Sequence, residues 1–437
     1  MAVSTLRSMA TRLARNRVLP SIMQGVERFS SANQQQRFAS QEAGAVDGKD
    51  YLLGNGPNSM RASVLWEPHK PMTLEDLQMP RPQAGEVLVK TKACGVCHSD
   101  LHIINGDQSY PIPVVLGHEI TGEVVEHGPH TDQATRNRLP IGERVVGAFI
   151  MPCGGCFYCV KGQEDICETF FKYNRGMGGL YDGTTRLYLR SNGKPINMYS
   201  MGGLAEYCCI PANALAVLPP SLPYAESSIL GCAVFTAYGA LKNGADMRAG
   251  ETVAIIGTGG VGSNCLQVAK AFGGRQVIAV DVTDEKLNHA LKMGATHTVN
   301  GAKENVVEKI KEITGGRGVD IAVEALGKAS TFVQAVQSVR EGGKAVMVGL
   351  APFGVMAEVD ITKLVRREVR IIGSYGGRAR QDLPTIISLA DMGLLSIKSA
   401  VSQSWSLDGA DAAYAALNRG EITGKAIIAM ESHLTPA

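Results

Sequence analysis

The sequence predicts an α/β protein in two parts, a doubly wound parallel sheet preceded by a separate β-rich domain. Three observations carry this reading. A short apolar, branched run at 252–256 leads into Gly257-Thr258-Gly259-Gly260-Val261-Gly262 and then a helix-like stretch at 263–272. Beyond a second apolar strand at 277–280, strands at 296–300, 319–324, 344–350 and 369–374 follow, with helical stretches at about 303–314 and 330–339 between the first three of these. Upstream, Gly and Pro are frequent and β-prone runs are short, as at 86–90 and 122–126, the texture of irregular β structure.

The remaining segments are assigned in turn. A helix at 407–419 and a strand at 425–430 are expected to return to the β-rich domain. The expected layout is therefore a leader at 1–40, a β-rich domain at 61–232, the parallel-sheet domain at 233–375 and a returning segment at 376–437. The leader is read from its charge: residues 1–26 contain no acid, while Arg7, Arg12, Arg15 and Arg17 interleave with Leu6, Met9, Leu13 and Val18 at roughly helical spacing. This is the pattern of an organellar transit peptide, and its arginine richness favours the mitochondrion over the plastid. Arg28-Phe29-Ser30-Ser31 and Arg37-Phe38-Ala39-Ser40 both resemble processing sites.

With 437 residues, 45% of them apolar, the chain can bury two cores, yet it has no apolar run long enough to span a membrane. Loss of residues 1–38 would remove six arginines and one glutamate, taking the formal charge from +2 to −3. No global basic surface for nucleic acid is then expected.

The ten cysteines are the chemically informative residues. Cys153, Cys156, Cys159 and Cys167 are spaced C-x2-C-x2-C-x7-C, with glycines inside the first step. Four thiolates close a tetrahedral shell around Zn²⁺, so this lobe reads as a structural metal site. A second set begins with Cys94-Gly95-Val96-Cys97-His98-Ser99-Asp100-Leu101-His102 and continues with Gly117-His118-Glu119 and Cys232. Three protein ligands with an open fourth position are what a catalytic zinc requires. Taken singly, His118 also fits a satisfied core histidine and Cys232 a small apolar filler. Metal thiolates argue for a reducing compartment.

Strand, glycine turn and helix at 252–272 suit a dinucleotide, because the backbone can approach a pyrophosphate that then sits at a helix N-terminus. Gly257, Gly259, Gly260, Val261 and Gly262 are the candidate contacts. Asp281 follows the next strand, where an acid accepts hydrogen bonds from the adenosine ribose and repels a 2′-phosphate, so NAD(H) is favoured over NADP(H).

In the order of these motifs the chain resembles the zinc-dependent alcohol dehydrogenases of the medium-chain dehydrogenase/reductase superfamily, from about Arg61 to the C-terminus. The resemblance rests on G-V-C-H-S-D-x-H at 95–102, G-H-E at 117–119, the four-cysteine lobe and the glycine turn. It implies a Rossmann domain joined to a GroES-like catalytic domain, and two zinc ions per subunit. Cys97, His118 and Cys232 would hold the catalytic zinc, with Glu119 close by and Asp100 orienting a ligand histidine. Ser99 and His102 would relay the alcohol proton outward through the cofactor ribose. Lys286 would contact that ribose, His98 and Lys425 would lie near the phosphates, and Phe149 would line the alcohol pocket.

The reaction so implied moves hydride between a primary alcohol, or its aldehyde, and NAD(H), in a homodimer joined through strand edges of the nucleotide domain. Two alternatives stand beside it. One is an activity like that of the glutathione-dependent formaldehyde dehydrogenases, which carry an arginine four residues after the last lobe cysteine; here that position is Phe171, with Lys172 and Arg175 nearby. The other is a non-catalytic NAD(H)-binding module.

Overall fold

The computed structural model describes residues 58–430, so the leader expected at 1–40 lies outside the described residues. The parallel sheet has six strands in the spatial order His297–Asn300, Gln276–Asp281, Thr252–Ile256, Val319–Glu324, Val339–Met347 and Arg370–Gly373. All neighbouring pairs are parallel. The chain starts in the middle, winds to one edge, then returns and winds to the other. That reversal opens a crevice at the carboxyl ends of Thr252–Ile256 and Val319–Glu324, where ligands of such sheets bind. Thr252–Ile256 is buried at every residue, which is why it reads as an unbroken apolar run rather than an alternation.

Element boundaries differ from the sequence reading for identifiable reasons. The helix expected from 263 is Gly260–Ala271, because the last glycines of the turn already form its first turn. The helix expected from 303 is Val306–Ile313, begun by Asn305, whose side chain accepts from Glu308 N at 3.3 Å. The strand read as 344–350 runs from Val339 to Met347, its opening half disguised by Gly342 and Gly343.

Glu86–Val96 is the spine of the β-rich part. It pairs antiparallel with Ile120–His127, Tyr207–Pro211 and Lys425–Ala429. The last pairing sets Ala426 opposite Val96 and Ile428 opposite Cys94, and so brings Lys425 to the turn that carries Cys97. A second sheet, Thr73–Gln78, Ser59–Leu65, Val114–Val115, Pro195–Met198 and Leu187–Tyr188, flanks it.

Two polar devices fix outlying segments. The stretch 130–140 contains the helix Gln133–Arg138, capped by Asp132 accepting from Thr135 N at 2.9 Å. Arg138 donates to Leu215 O and Ala212 O at 2.8 and 2.9 Å, pinning the helix to the neighbouring strand. Arg186, 1% exposed, donates to Glu86 at 2.7 and 3.0 Å and to Asp182 at 2.8 Å. A guanidinium buried this deeply needs such forked pairing, since an unpaired charge in the interior costs several kcal/mol.

Candidate active site and metal centres

Cys97 leaves the spine strand in extended geometry and opens the helix His98–Ile104. His118 and Glu119 immediately precede Ile120–His127, after Gly117, whose φ of +94° and near contact with Leu204 N (2.6 Å from where a Cβ would lie) admit only glycine. Cys232 sits at the junction of Ser228–Gly231 and the helix Ala233–Gly239. One ligand atom from each of Cys97, His118, Glu119 and Cys232 lies within 4.8 Å of all the others.

The hydrogen bonds around this set point to a cation. His118 Nδ1 is 3.1 Å from Asp100 Oδ1, and Asp100 also accepts from Gly117 N at 3.1 Å and Tyr414 OH at 2.8 Å. An ionised carboxylate can only accept, so Nδ1 carries a proton and donates to Asp100, which leaves Nε2 as the ring nitrogen that would bind a metal once its own proton is displaced. His118 Nε2 and Glu119 Oε2 are both buried and have no partner among the described residues. Buried polar atoms without partners are rare, and two of them beside two thiols fit the donor set of Zn²⁺.

The electrostatics agree. A hydrogen bond from Cys232 holds the Cys97 thiol well below its usual range, against the effect of burial and with help from Lys425 and His118. Burial pushes Glu119 up to about 7, although Lys425 opposes it. Burial would depress His118, but Asp100 and Cys97 outweigh it and raise the ring to about 10, so metal uptake here displaces a proton.

In the lobe, ligand atoms of Cys153, Cys156, Cys159 and Cys167 likewise lie within 4.8 Å of one another. Cys156 Sγ and Cys167 Sγ are 3.8 Å apart, close to the edge of a tetrahedron with metal–sulfur bonds of about 2.3 Å. Backbone N–H groups of Cys153 and Cys156 donate to Cys167 Sγ and Cys153 Sγ, each at 3.3 Å. Burial raises the Cys156 thiol, but N–H groups of Cys159 and Glu168 and the neighbouring thiols bring it down to about 6. Cys156 is thus the thiol poised to ionise before any metal arrives, whereas burial raises Cys159 and Cys167, which would lose their protons to a bound ion.

A cavity of about 640 Å³ joins the first metal set to the glycine turn. At one end it is lined by Cys97, Ser99, His102, Phe149, Cys232 and Tyr375, and at the other by Gly259, Gly260, Val261, Asp281 and Lys286. His98 also lines it. Gly257 and Gly262 lie behind this wall: a Cβ on Gly262 would fall 1.8 Å from Gly257 O, so glycine is required for the turn to close on its helix. Cys97 Sγ and Ser99 Oγ are 3.8 Å apart, and His102 Nδ1 is 3.1 Å from Asp107 Oδ2. Lys425 reaches the cavity with its stem against Gly260, but its ammonium donates to Glu119 Oε1 at 2.6 Å and Val96 O at 2.8 Å. Its charge is thus tied to the metal set while its stem stays beside the glycine turn.

Phe149 packs edge-on to His118, Phe235 and Tyr375 at 5.9, 6.1 and 5.7 Å between centroids. Tyr375, Asp107 and Tyr414 were not singled out by sequence. Tyr375 follows the edge strand in Ser374-Tyr375-Gly376-Gly377, and Asp107 closes the Cys-His run, so both carried a local signal. Tyr414 meets Asp100 across more than three hundred residues of chain and carried none.

Fold and site together define a zinc-binding dehydrogenase. The alcohol dehydrogenase GroES-like domain matches residues 83–220, and the zinc-binding dehydrogenase domain matches residues 260–392. An alcohol dehydrogenase of Geobacillus stearothermophilus is 36% identical over 379 residues, spanning 85% of this chain and 100% of the relative. Benzyl alcohol dehydrogenase from Acinetobacter calcoaceticus superposes with a TM-score of 0.79 at 29% identity, covering 86% of this chain and 100% of that one. Acetophenone reductase from Geotrichum candidum in complex with NAD does so with a TM-score of 0.70 at 28% identity, covering 86% and 98%. The chain belongs to the zinc-binding alcohol dehydrogenases of the medium-chain dehydrogenase/reductase superfamily, a family of oxidoreductases.

Proposed function

We propose that the protein interconverts a primary alcohol and its aldehyde with NAD(H), using a catalytic zinc held by Cys97, His118 and Cys232 and a structural zinc in the lobe. The orphaned His118 Nε2, buried beside two thiols at the end of a cavity that reaches the glycine turn, is the observation that carries this reading. Bound there, zinc supplies the Lewis acidity that lets an alcohol lose its proton near neutral pH. NAD supplies the hydride acceptor. The residues do the rest. Phe149 and Tyr375 wall the substrate end with aromatic edges and favour an aliphatic or aromatic carbon chain. Ser99 accepts the proton and His102 passes it on. Asp107, at 3.1 Å from Nδ1, fixes the His102 ring, and its 43% exposed side chain opens the path to water. A panel of primary alcohols with NAD tests the activity by the absorbance of NADH; no reduction with any of them would refute it.

The orphaned metal donors also favour an enzyme over a binding module, which has no use for an open metal position. Glutathione recognition gains no support: the Phe171 ring packs 5.6 Å from Tyr375, and Arg175 stacks over Tyr199 at 3.9 Å instead of presenting its charge to the cavity.

A homodimer fits the edge of the parallel sheet. Arg370–Gly373 is an edge strand, and the segment before it leaves Phe353, Met356, Ile361 and Val365 between 69 and 91% exposed. Covering such a stretch with a second copy removes both apolar surface and an open strand edge. Wild-type protein is expected to run as a dimer by light scattering and Ile361→Glu/Val365→Glu as a monomer; equal masses would count against this edge as the interface.

The arginine-rich leader supports import into mitochondria. Residues 1–40 fused to a fluorescent protein should carry it to that organelle, and a cytosolic or plastid signal would refute the assignment.

A further inference from the structure

We propose that Thr258, the variable second residue of the glycine turn, is a positioning residue that sets cofactor specificity by locking the carboxylate of Asp281; this rests on the NAD reading above. Asp281 ends the strand Gln276–Asp281, is 9% exposed and lines the cavity. Its Oδ2 accepts from Thr258 N at 2.9 Å and from Thr258 Oγ1 at 3.0 Å, and its Oδ1 accepts from Val282 N at 2.8 Å. Thr258 is 1% exposed, so its hydroxyl is withdrawn from solvent and committed to this contact.

The acceptor geometry has a definite consequence. Each carboxylate oxygen offers about two lone-pair directions. Both on Oδ2 are occupied by Thr258, and one on Oδ1 remains. A ribose diol therefore meets Asp281 through Oδ1 alone, with Lys286 on the same cavity wall to donate to the second hydroxyl.

The same lock governs exclusion. A carboxylate held by three donors from its own chain cannot swing aside when a 2′-phosphate approaches, so its charge stays opposed to the incoming one. Without the Thr258 hydroxyl, Oδ2 keeps only the amide donor and the carboxylate gains freedom to rotate. The glycine motif admits many side chains at its second position. A hydroxyl there converts the turn into a clamp on the acid that follows the next strand.

Fluorescence titration of the zinc-loaded enzyme with NADH and with NADPH tests this. Wild type should bind NADH more tightly by a large ratio of Kd values. Thr258→Val preserves volume and the backbone amide; it should lower that ratio about tenfold, by weaker NADH and stronger NADPH binding. Thr258→Ala should do the same, and Thr258→Ser, which restores the hydroxyl, should return the wild-type ratio. A purely structural role would weaken both cofactors equally and leave the ratio unmoved. A high wild-type ratio unchanged in Thr258→Val and Thr258→Ala overturns the proposal alone. A wild-type ratio near one overturns the NAD reading and the proposal with it.

Discussion

Ser99→Ala is expected to lower kcat/KM by about 10²–10⁴-fold, the range for removing a group that moves a proton in the transition state. Ser99 lines the cavity beside Cys97, and its oxygen is the hydroxyl of the Cys-His run that faces the reacting end. Since Ser99 is not among the clustered donors, both metals should remain at wild-type stoichiometry. Ser99→Thr, which keeps the hydroxyl, should restore most of the activity. Steady-state kinetics with metal analysis on the three proteins separates the cases. Full activity in Ser99→Ala would remove the serine from the relay and leave the metal assignment standing.

The second large effect is on the lobe. Cys159→Ser is expected to cost one metal per chain and to lower the unfolding midpoint by roughly 10 °C, as loss of a structural metal belongs to the few mechanisms with large single-site effects. Cys159 and Cys167 are buried, and with the metal gone Cys156 Sγ and Cys167 Sγ are left 3.8 Å apart without a common partner. The lobe is short and irregular, with a one-turn helix, Phe157–Val160, and a single 3-10 turn, Glu164–Ile166; Arg380 ties that turn to the rest of the fold through Glu164 at 2.5 and 3.0 Å, while the loop between the cysteines depends on the metal to stay closed. Limited proteolysis should cut the variant first between 153 and 167. An unchanged metal count and midpoint would mean that the four thiols are not a metal site.

The parts of this site that could be read from the sequence are those built from neighbours in the chain. Cys97 to His102 lie on one turn and one short helix, the four lobe cysteines fall within fifteen residues, and the glycine turn is flanked by its own strand and helix. Local spacing fixes local geometry in each. Cys232 was placed only by resemblance, because what brings it to Cys97 and His118 is the packing of separate elements, not spacing.

The same limit explains what was missed. The second half of the strand Glu86–Val96, Thr-Lys-Ala-Cys-Gly-Val, lacks branched alternation and is strand-like only because Ile120–His127 and Lys425–Ala429 pair with it. Lys425 was expected near the phosphates from the resemblance alone. Its tie to Glu119 depends on that last strand lying beside the spine. The Arg186–Glu86 pair and the Thr258 clamp join distant positions through side chains whose types are common in any surface or turn. No pattern in the sequence distinguishes them from solvated residues.

The central claim is that one of two metals sits where the alcohol reacts. Metal content per chain, measured by mass spectrometry on wild type and His118→Ala together with NAD reduction by a primary alcohol, tests it most directly. The account predicts two zinc ions and turnover in wild type, and one zinc with no detectable turnover in His118→Ala. Two zinc ions in His118→Ala, or turnover that survives the loss of one, would contradict it.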